Sequence, residues 1–283
     1  MKSLNLLILF LLELPLVSFA QVHEVKFVTS ADGTSIKTVI FHPNQVQQHK
    51  PRPVVIALHG CGGLYSTANN HQEKLNARHA GMAKFITDHG FSIIFPDSFT
   101  TRGEISLCSQ KFNSRRIKQS HRADDVDGVL SWLSEQSWVD QSKIALLGWS
   151  HGGSAVLRST DANRDNVINR RTQPNVAVAF YPGCSDALKD QYRPQVPLVM
   201  MLAELDDWTP PIPCIELANH TGSKFYLYPD SYHDFDNPVG NVKLRADVPN
   251  GVNPDKGVHV GRNPVTGPQS WNQLLMILQS RWE

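Results

Sequence analysis

Three residue types able to act together on a carbonyl follow one another along the chain: a serine between glycines, then an acid, then a histidine. Gly148-Trp149-Ser150-His151-Gly152, with Gly153 behind it, is a G-x-S-x-G pattern. At ordinary Gly and Ser frequencies that pattern arises by chance in roughly one chain of this length in ten, so its position decides its weight. It follows the apolar run Lys143 to Leu147, which reads as a strand, and precedes a helix starting near His151. A turn that tight between strand and helix excludes side chains on both sides of the serine, and it lifts the hydroxyl clear of the backbone. The helix start behind it favours developing negative charge. The spacing makes Ser150 the expected nucleophile.

A serine hydroxyl needs a base to take its proton. His233, in Pro229-Asp230-Ser231-Tyr232-His233-Asp234-Phe235, follows the last predicted core strand, which singles it out among 12 histidines. The acid that orients it is expected to be Asp206, in Glu204-Leu205-Asp206-Asp207-Trp208-Thr209-Pro210, with Asp207 and Glu204 as competitors. Backbone donors for a tetrahedral oxyanion are expected at Cys61, in the glycine-rich run His59-Gly60-Cys61-Gly62-Gly63, and at His151. Arg102, Trp149 and Trp208 are candidate substrate contacts. Arg122 is expected to pair with Asp125 or Asp124 at a helix start. His259 and Lys256, in the irregular stretch from Asn237 to Arg262, are possible polar contacts on one wall.

The elements that would position these groups alternate between short apolar runs and longer amphipathic ones, the pattern of a mostly parallel sheet covered by helices. Strands are predicted at Val22 to Val28, Ile36 to His42, Val54 to Leu58, Phe91 to Phe95, Lys143 to Leu147, Val176 to Tyr181, Leu198 to Leu202 and Lys224 to Tyr228. Helices are predicted at Lys74 to His89, Ala123 to Gln136 and Gln269 to Trp282. Serine, acid and histidine then all leave carboxyl ends of strands, where open α/β sheets build their sites.

The 283 residues carry 27 Lys+Arg against 26 Asp+Glu, a net charge of +1 that offers no field for nucleic acid. The hydrophobic fraction of 41% against 19% charged is that of one globular α/β domain. Residues 1 to 20 have the layout of a signal peptide: Lys2, an apolar run from Leu4 to Leu16 broken by Glu13, then Ser18 and Ala20 at a cleavage position. Cleavage after Ala20 leaves a mature domain over 21–283, in the periplasm or outside the cell, with no stable membrane association. Cys61, Cys108, Cys184 and Cys214 allow three pairings or four free thiols. Their placement after successive strands favours Cys61 with Cys108 and Cys184 with Cys214, each loop worth roughly 4 kcal/mol. No C-x-x-C spacing supports a zinc site, and the acidic triplet Asp124, Asp125 and Asp127 reads as a solvated helix start.

Together, His59 to Gly63, Pro96-Asp97-Ser98-Phe99, Arg122 to Leu133, Gly148 to Gly153, Asp206 to Pro210, His233 and Val258 to Pro264 resemble the dienelactone hydrolase family of α/β-hydrolases. The resemblance runs from about Pro53 to Trp282. It implies an α/β-hydrolase fold and a nucleophile-His-Asp triad with no metal or organic cofactor. Ser150 stands where dienelactone hydrolases proper carry cysteine, which points to ordinary ester or lactone hydrolysis of a small molecule through an acyl-enzyme. A peptidase on the same fold and a non-catalytic binding protein are the alternatives.

Overall fold

The computed structural model describes residues 23–44, 50–68 and 73–282. The expected signal peptide and its cleavage point lie outside these residues. Two strands, β1 (His23–Thr29) and β2 (Ser35–Phe41), pair antiparallel around a turn at Gly33. Then come β3 (Arg52–Leu58), α1 (Ala77–Asp88), β4 (Ser92–Pro96), α2 (Gln119–Leu133), β5 (Val139–Trp149) and α3 (His151–Ser159). The chain continues through α4 (Asp165–Ile168), β6 (Val176–Phe180), α5 (Ser185–Lys189), β7 (Leu198–Ala203), α6 (Ile212–Thr221) and β8 (Lys224–Tyr228). It ends with β9 (Lys243–Arg245), β10 (Val258–Val260) and α7 (Thr266–Trp282).

Eight strands form one sheet in the order β1-β2-β4-β3-β5-β6-β7-β8, parallel from β4 to β8. Alternation along each buried strand feeds two cores. Val54, Ile56 and Leu58 of β3, with Ile144 and Leu146 of β5, join Val126, Val129, Leu130 and Leu133 of α2 on one face. Val55 and Ala57, with Ala145, Leu147 and Trp149, meet Met82 and Ile86 of α1 and Leu274 and Leu278 of α7 on the other. A third, smaller core lies above the carboxyl ends of the strands and holds Cys61, Cys108, Phe99, Ile117, Trp208, Val248, Val258 and Val260.

The predicted strands are all present. Helix α1 starts three residues later than expected because the Asn76 side chain caps it, accepting from His79 N at 3.1 Å. Helix α2 starts four residues earlier, so Arg122 sits in its first turn. Helix α6 was not foreseen, because it opens on Pro210-Pro211-Ile212-Pro213, a run that reads as loop although proline suits a helix's first turn.

Candidate active site

Ser150 lies between β5 and α3 with φ 53° and ψ −116°, a backbone region that L-residues rarely occupy. Two flanking glycines make that turn possible. A Cβ on Gly148 would stand 2.3 Å from the Gly152 carbonyl oxygen, and one on Gly152 would stand 2.0 Å from the Leu58 carbonyl oxygen. The elbow is pinned to the neighbouring strand by Ser150 N donating to Phe180 O at 2.9 Å.

The acid and histidine are pinned to the same place. The turn after β7 folds Asp206 back so that its Oδ1 accepts from the backbone of Trp208 and of Thr209, each at 2.9 Å. Its Oδ2 is 2.7 Å from His233 Nδ1 and 3.0 Å from the Thr209 hydroxyl, which also reaches the Tyr181 carbonyl at 3.0 Å. Phe180 and Tyr181, where β6 ends, thus anchor the serine turn on one side and the acid turn on the other. His233 is 2% exposed and held between the rings of Tyr181 and Trp208, at 4.5 and 4.7 Å. Behind Tyr181, Asp236 accepts from its hydroxyl and from the indoles of Trp149 and Trp271, and buried Arg78 pairs with Asp234 at 2.6 Å. Burial pushes the Asp236 carboxyl above the usual carboxylate range. Among the described residues, Ser150 Oγ has no hydrogen-bond partner, His233 included.

The adjacent carboxylates diverge. Asp207 takes His259, whose Nδ1 lies 2.7 Å away and whose backbone N–H donates at 2.8 Å, while Glu204 accepts from Asp230 N. Asp206 is the one acid of the three bonded to His233.

Under the elbow sits Arg122, fully buried. Its Nη1 donates to the His59 carbonyl at 2.7 Å and to His151 Nδ1 at 3.0 Å, and its guanidinium stacks over Phe99 at 5.3 Å. One side chain therefore ties the glycine-rich loop after β3 to the first residue of α3. Burial, then the Arg122 and Arg115 charges, holds His151 well below the ordinary histidine range, so its ring is neutral. The amide N–H groups of Cys61 and His151 find no acceptor among the described residues. Cys61 is bonded to Cys108, and Cys184 to Cys214, with Cα separations of 5.0 and 5.1 Å.

A cleft of about 740 Å³ opens beside Ser150, lined by Cys61, His151, Trp208 and Thr209 on the site's side. Phe112, Arg115, Ile117, Leu157 and Tyr192 extend it.

The sequence model of the dienelactone hydrolase family matches residues 36–277. The chain belongs to that family. It is thereby a hydrolase acting on ester bonds, and its sheet is the α/β-hydrolase sheet. A protein described as a dienelactone hydrolase from Klebsiella pneumoniae subsp. pneumoniae MGH 78578 superposes with a TM-score of 0.67 at 14% identity, over 92% of this chain and 99% of that one. Esterase 2 of Thermogutta terrifontis, phosphorylated by paraoxon, gives 0.59 at 17% identity, over 89% and 91%. Dipeptidyl peptidase 4 of Porphyromonas gingivalis gives 0.55 at 15% identity, over 78% of this chain and 33% of that one. These likenesses concern the fold.

Within this family member, three expectations about substrate contacts and one about an ion pair are corrected. Arg102 does not reach the cleft: its guanidinium bonds Asp125 at 2.8 and 3.1 Å and Asp32 at 2.9 Å, tying α2 to the β1–β2 turn. Arg122 pairs with neither Asp125 nor Asp124, since Arg102 has taken Asp125. Trp149 is fully buried, because its position on β5 puts it with Ala145 and Leu147 toward α7, and it is not on the cleft wall. No residue of 237–262 lines the cleft; the β9–β10 ribbon instead packs Val248, Val258 and Val260 behind Trp208. Trp208 does line it. Thr209, Tyr181 and Arg122 carry the site's hydrogen bonds without having been singled out for that. Arg122 alone left a trace in the sequence, a cation on the apolar-periodic side of α2.

Proposed function

We propose that the protein is a serine esterase acting on carboxylic esters or lactones of small molecules, with Ser150, His233 and Asp206 as its triad. The observation that carries this is the buried Asp206–His233 pair at 2.7 Å, hung from the same strand end as the strained Ser150 turn. Ser150 Oγ attacks the carbonyl carbon while His233 Nε2 takes its proton. Asp206 keeps the other ring proton on Nδ1 and stabilises the imidazolium. The Cys61 and His151 amides hold the oxyanion, each such donor being worth about 10²–10³ in rate. His233 then gives the proton to the leaving alcohol, and the acyl-enzyme remains on Ser150. Water, deprotonated by His233, releases the acid and restores the serine. The free Ser150 hydroxyl tightens onto His233 when substrate fills the cleft, as such bonds do on forming a Michaelis complex.

Export through the first twenty residues fits two disulfides, which persist in oxidising compartments. Among the described residues no helix is long and apolar enough to cross a membrane. The test is hydrolysis of p-nitrophenyl esters of rising acyl length by protein starting at Gln21. Turnover in the parent should fall to background in Ser150→Ala. Equal turnover in both proteins would remove Ser150 from the reaction.

A further inference from the structure

The two amides assigned to the oxyanion are held in different ways. His151 N–H opens α3, behind a turn fixed by its flanking glycines and by the Phe180 carbonyl. Cys61 N–H lies in the loop after β3, His59-Gly60-Cys61-Gly62-Gly63, where three glycines in five residues leave the backbone free to choose other conformations. What fixes this second donor comes from two sides. On one, the peptide unit that carries it is gripped at its other end: the Gly60 carbonyl accepts from His59 Nδ1 at 2.9 Å and from Gly63 N at 3.2 Å. On the other, the Cys61 carbonyl accepts from Leu107 N at 2.8 Å and from Ser106 Oγ at 3.2 Å, and Cys61 Sγ is bonded to Cys108.

Residues 106–108 have little else to keep them there. The connection from β4 to α2 contains only two single 3₁₀ turns, Thr100–Arg102 and Phe112–Ser114. From Gly103 to Lys118 just Leu107, Cys108, Arg115 and Ile117 are buried, while Ile105 and Phe112 stand 63% and 55% exposed. A stretch with so few buried apolar contacts opens readily unless something ties it down. The tie is the Cys61–Cys108 bond, closed across 47 positions of sequence and buried with Phe99, Ile117 and Trp208. The backbones it joins are in direct contact: a Cβ on Gly63 would stand 2.3 Å from the Ile105 carbonyl oxygen. The second disulfide has no such place, since Cys184 and Cys214 join the start of α5 to α6 and carry neither donor.

Resting on the serine-esterase reading above, we propose that Cys108 is a positioning residue for the oxyanion. Its bond to Cys61 holds the Cys61 amide where the tetrahedral intermediates need it, and turnover depends on that bond being closed. Acylation and deacylation both pass through an oxyanion, so a displaced donor slows both and lowers kcat while leaving KM in place. A misplacement of about 1 Å costs up to about 10² in rate.

The test compares the parent with Cys108→Ser and with the double variant Cys61→Ala, Cys108→Val, which refills the bridge with apolar carbon and leaves no lone thiol. Folding is read by near-ultraviolet circular dichroism, and kcat and KM with p-nitrophenyl hexanoate. Two inhibitors separate the oxyanion from the rest of the cleft. The adduct of 1,1,1-trifluoroheptan-2-one on Ser150 places a negative oxygen between the same amides, whereas hexanoate forms no adduct. In each variant that folds, kcat falls at least about tenfold, KM and inhibition by hexanoate stay within about threefold, and inhibition by the ketone weakens in proportion to kcat/KM. A smaller fall in either folded variant overturns the proposal, as does a loss shared equally by ketone and hexanoate. If neither variant folds, the bond serves the fold alone and the proposal is equally overturned. In all three cases the parent still turns over and the esterase reading stands. A parent that neither cleaves the ester nor takes up a fluorophosphonate removes that reading, and this proposal with it.

Discussion

Two aspartates adjacent in sequence each hold a histidine by the same bond. Asp206 meets His233 Nδ1 at 2.7 Å, and Asp207 meets His259 Nδ1 at 2.7 Å. The surroundings differ. The first pair is shut away, with side-chain exposures of 1% and 3%, and sits between Tyr181 and Trp208 at the strand end that anchors Ser150. The second is open, at 30% and 44%, and joins the turn after β7 to the β9–β10 ribbon with Tyr232 alongside. An Asp–His bond of good length is therefore no sign of catalysis by itself. What distinguishes the first, and makes it the pair of the proposed triad, is water exclusion and the Ser150 turn held to the same backbone, since electrostatic stabilisation gains strength where water is absent.

The largest expected contrast comes from the histidines. His233→Ala should lower kcat by roughly 10⁴-fold or more, whereas His259→Ala should leave it within about threefold, both read with a p-nitrophenyl ester. Comparable losses would break the distinction between the pairs. The acids should repeat the contrast one step removed. Asp206→Asn should cost about 10⁴ in kcat by favouring the wrong tautomer of His233. Asp207→Asn should change kcat less than about tenfold and instead make the 241–260 ribbon easier to cleave in limited proteolysis, because two bonds from Asp207 hold it.

How far the sequence discloses this site depends on how local each signal is. The Ser150 turn is legible because its glycines are required within four residues, by contacts as short as 2.0 Å. His233 is legible from chain order. Between Asp206 and Asp207 the sequence is nearly silent, since their partners lie 27 and 52 residues away and only the folded turn sends one carboxylate inward. Trp149 was misplaced although the signal existed: on β5 it is in phase with Ala145 and Leu147, the face covered by α7. Arg102 and Arg115 are both arginines near the same loop, and nothing local says that one finds two acids and the other, among the described residues, no ion pair. The fold itself, carried by apolar runs of strand length, was legible apart from the one-turn helices α4 and α5, the proline-led α6 and the two short strands of the ribbon.

A smaller effect is expected from the histidines beneath the site. Burial lowers His79 to about 3, and burial together with Arg122 holds His59 and His151 well below the ordinary range. In the unfolded chain these rings take up protons below about pH 6.5, which the native state does not. Stability is therefore full above that pH and falls as pH drops, by up to about 1.4 kcal/mol per pH unit for each ring. The urea midpoint should decline between pH 7 and pH 5, and less steeply in His79→Gln. A midpoint independent of pH across this range would contradict the buried neutral rings.

The central claim is that a nucleophile at Ser150 is activated by the buried pair. The most direct measurement is intact-mass analysis after exposure to a fluorophosphonate, comparing the parent with Ser150→Ala, Asp206→Asn and Asp207→Asn. The account predicts one adduct per chain on Ser150 in the parent, none in Ser150→Ala, labelling slowed by orders of magnitude in Asp206→Asn, and near-parental labelling in Asp207→Asn. An unlabelled parent, or labelling slowed equally by the two asparagine substitutions, would contradict it.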